Sequence, residues 1–151
     1  MLDGEADARM PSPAQRGASR RQGRALLRAA RAAWPGDGGL AALGQYRGGA
    51  HHAVVLGAAA AAAGCDAADA ARIAAYQSVA GAVSAAVRLL ALDPMRATAV
   101  LARLGGEVDR VAELAAAAAD GPLDELPCPS APALDLLAEA HIRAEVRLFE
   151  S

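Results

Sequence analysis

The chain has 151 residues, which is the size of one globular domain. It is 54% hydrophobic but only 3% aromatic, and alanine supplies most of the apolar character. The formal net charge of −2 argues against general nucleic-acid or membrane binding. The N-terminus lacks the basic and apolar blocks of a signal peptide, and the longest apolar run, 53–65, is shorter than the roughly 20 residues that span a bilayer. Because Cys65 and Cys128 form no metal-type pair, we expect reduced thiols in a cytoplasmic protein.

Residues 1–11 are polar and are predicted to be disordered. Ser12 and Pro13 then supply a cap and a first-turn proline for a long helix. Asp66 and the pair Asp93-Pro94 give similar starts further along. The predicted helices are about 12–33, 40–46, 53–63, 66–92, 95–104, 107–119 and 133–143, with a break at Gly105-Gly106 and a proline-rich linker at 120–132.

The pattern predicts an all-α fold, a bundle of about six helices that forms one domain over 12–151. The helix 53–63 is apolar all round and is therefore placed in the centre of the core. A core face of the following helix is predicted at Ile73, Tyr76, Val83, Val87 and Leu90.

The tail 144–151 is the one stretch that is predicted to be extended, and it holds the only phenylalanine, Phe149. Chain ends are normally polar, so an apolar end with Val146 and Leu148 should be buried against something. Two interpretations stay open: the tail packs back onto its own helices, or it docks on another protein with Arg147 as a charged anchor.

Other polar residues have a structural and a functional interpretation. His51 and His52 could bind a transition metal weakly, but adjacent side chains rarely face one ion, so a structural or capping role is favoured. His141 lies near the end of the last helix, where positive charge is favourable. Arg88 follows apolar residues, and we expect it to be partly buried beside a carboxylate.

A stripe of arginines over 20–31 is predicted to be a solvated helix face; the alternative is a helical nucleic-acid-binding module or another interaction module that uses this stripe. The stripe consists of Arg20, Arg24, Arg28 and Arg31. No phosphate-binding glycine loop, nucleophile elbow or HExxH motif is present, and no residue receives a catalytic assignment. We therefore expect a binding protein rather than an enzyme.

Four segments in order resemble the UreF family of urease accessory proteins. They are 18–23 (ASRRQG), 51–57 (HHAVVLG), 84–89 (SAAVRL) and 130–135 (SAPALD), the last continuing through His141 to 147–151 (RLFES). The resemblance covers residues 16–151, and it implies that two or three N-terminal helices of the family are missing. Ala53 and Asp93-Pro94 depart from the family pattern.

The resemblance implies an all-helical, homodimeric, cytoplasmic chaperone that bridges UreD (also called UreH) and the GTPase UreG. That complex would deliver nickel to apo-urease with GTP hydrolysis by UreG, so nickel would be transient cargo and no cofactor would be tightly bound. The family's tail docks on UreD, which implies an interface at Arg147, Leu148, Phe149 and Ser151. The family motifs also include His51, His52, Gly57, Arg88 and His141, whose roles the resemblance leaves open.

Overall fold

The computed structural model describes residues 2–143, which confirm the all-helical prediction. The predicted docking tail at 144–151, with Arg147, Leu148, Phe149 and Ser151, lies outside the described residues. The helices are α1 (Leu2–Ala8), α2 (Pro13–Ala33), α3 (Gly38–Leu43), α4 (His52–Ala62), α5 (Ala67–Leu90), α6 (Pro94–Ala117) and α7 (Pro132–His141), with a 3-10 turn at Leu123–Glu125.

Three helix starts follow the predicted capping chemistry. The Ser12 hydroxyl accepts from the backbone N–H of Gln15, three residues on. Asp66 and Asp69 form a reciprocal capping box at the start of α5. Asp93 accepts from the backbone N–H of Met95, the residue directly after the proline that begins α6. Each cap satisfies a backbone donor that has no partner within the helix.

Two local predictions were wrong. Residues 1–11 are not wholly disordered, because α1 forms at Leu2–Ala8 and its Asp3 and Asp7 side chains bind other helices. Gly105-Gly106 does not break the chain, since α6 runs through it without interruption. The apolar positions on either side of the glycines keep helical spacing, and packing against α5 outweighs the low helix propensity of glycine.

The chain divides into two compact units where one domain was predicted. Unit 1 is Met1–Gly64 together with Gly121–Ser151, and unit 2 is Cys65–Asp120. In unit 1, α4 contacts α1, α2 and α3, while α7 packs on α2. The predicted linker region 120–132 carries the 3-10 turn, which contacts α1.

Unit 1 has a buried apolar core in which α4 is central, as predicted. Leu40 of α3 and Val55 of α4 are both 0% exposed. Leu27 and Ala30 of α2 complete the core together with Ala59 of α4. These side chains lie on the inner faces of three helices, so their burial fixes how the helices pack.

Unit 2 is a helical hairpin of α5 and α6 that buries very little of itself. No residue of α5 is buried, and Ala112 is the one buried residue of α6. The core face predicted for α5 is largely exposed, with Tyr76 at 52% and Leu90 at 68%. By length and composition alone, α5 is apolar enough to cross a membrane, a test that core helices of soluble proteins also pass.

Candidate functional site

The predicted pair His51-His52 lies at a polar junction of three helices in unit 1. His51 is the N-cap residue of α4, and its side chain is 0% exposed. Its backbone N–H donates to Asp3 Oδ1 at 2.7 Å, which ties α1 to the start of α4. Its ring atoms Nδ1 and Nε2 lie 3.1 Å from Ser19 Oγ and 3.0 Å from Asp7 Oδ1. One buried ring therefore connects α1, α2 and α4.

The partners of His51 define its hydrogen-bonding roles. A carboxylate such as Asp7 can only accept, so Nε2 of His51 is the donor of that pair. Ser19 Oγ accepts the backbone N–H of His52 at 3.1 Å, which leaves the hydroxyl proton of Ser19 for Nδ1. Both ring nitrogens are thus used in holding the helices together. The structure supports the structural role that was favoured for this residue.

Arg20 closes the junction on the α1 side. Its guanidinium donates to Asp3 Oδ2 at 3.0 Å, to Asp7 Oδ1 at 2.9 Å and to the Gly49 carbonyl at 2.7 Å. Although Arg20 was predicted to lie in a solvated stripe, its side chain is only 28% exposed, and this part of the prediction was wrong. Two carboxylates of α1, a segment that was predicted to be disordered, bind Arg20 instead.

The charges at the junction reinforce one another. The hydrogen bond from His51, and then that from Arg20, lowers the pKa of Asp7 below its ordinary value. Burial of Arg20 acts to lower its pKa, but the hydrogen bonds to Asp7 and Asp3 outweigh burial and raise that pKa. Burial lowers the pKa of the neighbouring His52. Asp7 and Arg20 are therefore held as an ion pair.

Close backbone approach at Gly23 allows the junction to form. A Cβ added at Gly23 would lie 2.1 Å from the Ala50 carbonyl oxygen and 3.1 Å from the backbone of His51. Only glycine lets α2 approach the chain segment before α4 this closely. Gly23 is the last residue of the segment 18–23, one of the four that resemble the family. The close packing of α2 explains why a glycine stands at this position.

The remaining predicted residues do not join the junction. Gly57 lies on α4 but on an exposed face, and the His141 side chain is at the end of α7, as predicted. Arg88 lies in the last turn of α5, in unit 2, and is exposed rather than partly buried, because α5 buries none of its residues. Within residues 2–143, no group of three or more His, Cys, Asp or Glu side chains is placed to hold a metal ion.

Sequence reasoning missed Asp3, Asp7 and Ser19. Asp3 and Asp7 are spaced by four residues, which puts both on one face of a helix. That spacing was the available signal, but an acidic, polar chain start was interpreted as disorder. Ser19 lies inside a helix, where a serine has no distinctive signature in sequence.

Each unit also carries an exposed apolar groove. The groove of unit 1, of about 550 Å³, lies between α1, α3 and α4, and Gly57 lines it together with Leu2, Leu43 and Val54. The groove of unit 2, of about 860 Å³, runs between α5 and α6. Its apolar floor includes Ile73, Tyr76, Leu101, Leu104 and Val108. Exposed apolar surface of this kind is typical of sites that bind other proteins.

These features define a class of protein: an all-helical protein with a buried polar junction and exposed apolar grooves. Comparison with known proteins narrows the class. The family model named UreF matches residues 1–105 of the chain. The chain therefore belongs to the UreF family, which confirms the resemblance.

Curated relatives agree with this assignment. The chain is 44% identical over 149 residues to the urease accessory protein UreF of Mycobacterium sp. (strain JLS), which covers 99% of this chain and 65% of that protein. It is 42% identical over 151 residues to the protein of the same name from Mycolicibacterium vanbaalenii, covering 99% and 64%. The chain thus spans about 65% of the length of the first of these relatives. No solved structure matches the chain significantly.

Proposed function

We propose that this chain is a scaffold in urease maturation, which holds UreD and the GTPase UreG together while nickel passes to apo-urease. It acts by binding rather than by catalysis, as a homodimer in the cytoplasm. Nickel is cargo of the assembly, and GTP is hydrolysed by UreG. Membership of the UreF family supports the link to urease maturation.

The observation that carries the proposal is the uncovered hairpin of unit 2. α5 has 24 residues and none of them is buried, so the helix leaves much of its surface uncovered even though it packs against α6. Side chains such as Leu90, at 68% exposed, and Leu114, at 60% exposed, contribute stabilising free energy through burial only when another surface covers them. A protein that leaves this much apolar surface open is suited to assembly with other chains.

The tail supplies the proposed contact with UreD. Leu148 and Phe149 are the apolar anchors, and Arg147 is the charged one. Deleting residues 145–151 should abolish co-purification with UreD. Helicity should be unchanged, because the helices of the described chain end before the deletion. Far-UV circular dichroism and co-purification of co-expressed UreD measure the two effects.

A matched variant separates the apolar anchors from the charge of the tail. Glu150→Gln keeps Leu148 and Phe149 and should retain UreD, whereas Leu148→Ser with Phe149→Ser should lose it. Retention of UreD by the deleted chain would contradict the role given to the tail. Failure of the full chain to capture UreD, UreG or apo-urease would contradict the scaffold itself.

A further inference from the structure

The charges of this chain are segregated along its sequence. Between Ala8 and Cys65 there are eight arginines and one carboxylate, that of Asp37. Asp37 is already engaged, since its Oδ1 accepts from the backbone N–H of Leu40 at 2.8 Å and caps α3. This part of unit 1 therefore carries a large excess of positive charge within a chain of net charge −2.

Three of these arginines are neutralised or held within unit 1. Arg20 pairs with Asp3 and Asp7. Arg9 pairs with Glu5 and also donates to the carbonyls of the 3-10 turn region. Arg16 donates to the Met10 and Pro11 carbonyls just after α1. These three side chains hold parts of unit 1 together, so they present little free charge to a partner.

Another set of arginines forms an exposed surface, which we call the basic face: Arg24, Arg28, Arg31 and Arg47. The first three follow one another on α2 at spacings of four and three, so they share one side of the helix. Arg24 donates to the Gly48 carbonyl, and a Cβ at Gly44 would lie 3.0 Å from Nη1 of Arg31. The connection after α3 therefore runs along this side of α2 and brings Arg47 to it.

Within the described residues, two guanidinium groups of the basic face have no carboxylate partner. Among residues 2–143, Arg28 and Arg47 have neither an ion pair nor a side-chain hydrogen bond. Arg24 and Arg31, by contrast, are steadied by contacts with the connection beside them. Like charges on one surface repel one another, so an anionic surface that covers the face would lower this repulsion.

The chemistry of the face favours a carboxylate-bearing protein over a nucleic acid. All four cations are arginines, whose planar guanidinium matches a carboxylate with two parallel hydrogen bonds. The row from Arg24 to Arg31 is about 10 Å long, which is two turns of a facing helix. Trp34 and Tyr46, 38% and 45% exposed, lie on the same segments, and Arg, Trp and Tyr are the residues that dominate protein interfaces. The net charge of −2 opposes a long polyanion.

We infer that the basic face docks an acidic segment of one protein partner of the assembly, a contact separate from that of the tail. The inference rests on the proposed scaffold function, because the partner is one of UreD, UreG and apo-urease. Arg24 is already positioned by a backbone carbonyl and Arg31 lies against Gly44, so docking costs less side-chain entropy than four free arginines would.

The test measures the affinity of the full chain for each of the three purified partners over a range of salt concentrations. Arg28→Gln combined with Arg47→Gln should lower the affinity for one partner at least tenfold and flatten its salt dependence. The control is Arg96→Gln with Arg103→Gln, which removes the same charge from exposed positions of α6 that do not line its apolar groove, and it should leave every affinity within twofold. Both double variants should keep the wild-type thermal midpoint.

The other outcomes overturn the inference. If the R28Q/R47Q variant binds all three partners within twofold of wild type, the basic face is a solvated surface while the scaffold still stands. If a 20-base-pair DNA duplex binds wild type more tightly than any partner does, the face is a nucleic-acid site. If wild type binds none of the three partners, the scaffold function fails and the inference fails with it.

Discussion

Units 1 and 2 are both helical and rich in alanine, yet they are stabilised in different ways. Unit 1 has a closed apolar core around Leu40 and Val55 and a polar junction around His51. Unit 2 has long, well-capped helices, but Ala112 is its one buried side chain among the described residues. The same alanine-rich composition can thus support a self-contained core or an open hairpin.

The difference shows how far an alanine-rich sequence can build a buried core. Alanine faces bring helices close together but bury little area, so the few larger side chains decide whether a core closes. In unit 1 those side chains point inward from three helices and meet. In unit 2 the larger side chains line an open groove, and covering it requires another surface.

The largest expected effect comes from removing a side chain of the closed core. Leu40→Ala should lower the free energy of unfolding by about 2–5 kcal/mol, because it leaves a cavity where Leu40 is 0% exposed. Leu90→Ala in unit 2 should change that energy by at most about 0.5 kcal/mol, since Leu90 is 68% exposed. Urea unfolding measures both, and equal costs would remove the distinction between the units.

A pair of glycine substitutions sharpens the comparison. Gly23→Ala should destabilise unit 1 by about 1–3 kcal/mol or more, because the added Cβ would lie 2.1 Å from a backbone oxygen. Gly81→Ala in α5 meets nothing within 4 Å and should stabilise unit 2 by about 0.5–1 kcal/mol. Thermal midpoints should therefore move in opposite directions. Movement in the same direction would show that the contact at Gly23 is not tight.

A backbone position in unit 2 gives a smaller effect. Ala91 ends α5 with φ of 49°, in the left-handed region where a Cβ is unfavourable. Ala91→Gly should stabilise the hairpin by roughly 1 kcal/mol. Ala82→Gly, at an exposed position inside α5, should destabilise it by about the same amount. Hydrogen exchange over 67–117 measures both, and slower exchange in the Ala82 variant would contradict the reasoning.

The smallest effect is a pH dependence. The pKa of Asp7 is lower in the folded chain than its unfolded value of 3.8, so folding favours the ionised form. The stability that Asp7 contributes is complete above that value and is lost as the pH falls through the folded pKa. The difference in unfolding free energy between wild type and Asp7→Asn should therefore be constant above about pH 5 and shrink below it.

Glu107 of unit 2 is the matched control. The hydrogen bond from Arg110 lowers its pKa too, but both side chains are more than half exposed, at 56% and 58%. Solvent screens such a pair, so Glu107→Gln should give a weaker acid dependence than Asp7→Asn. A wild-type to Asp7→Asn difference that does not shrink down to pH 3 would show that the junction is not held by the ionised form.

Features set by neighbouring residues could be predicted from the sequence. The caps at Ser12, Asp66 and Asp93 involve side chains within three residues of the donors they satisfy. The continuity of α6 was predictable in principle, because Leu101, Leu104 and Val108 keep helical spacing across Gly105-Gly106. The glycines were given too much weight there.

Features set by residues far apart in sequence could not be predicted. The short helix α1 is held by contacts of Asp3 and Asp7 with Arg20 and His51, 13 to 48 positions away. The residues near Asp3 and Asp7 in sequence do not predict such distant partners. The exposure of Arg88 and Tyr76 was missed for a related reason. The spacing of apolar residues shows which face of a helix is apolar, but it does not show what packs against that face.

The hydrogen bond between Ser12 and Glu139 joins residues 127 positions apart and has a consequence for synthesis. Glu139 also accepts the backbone N–H of Ala14, so a carboxylate near the end of the described chain completes the first turn of α2. On the ribosome, α2 emerges long before this partner exists, whereas α5 and α6 can meet as soon as both have been made. Unit 1 therefore stays incomplete until after unit 2 has been translated, and the time that α2 waits is set by the elongation rate rather than by its own folding rate.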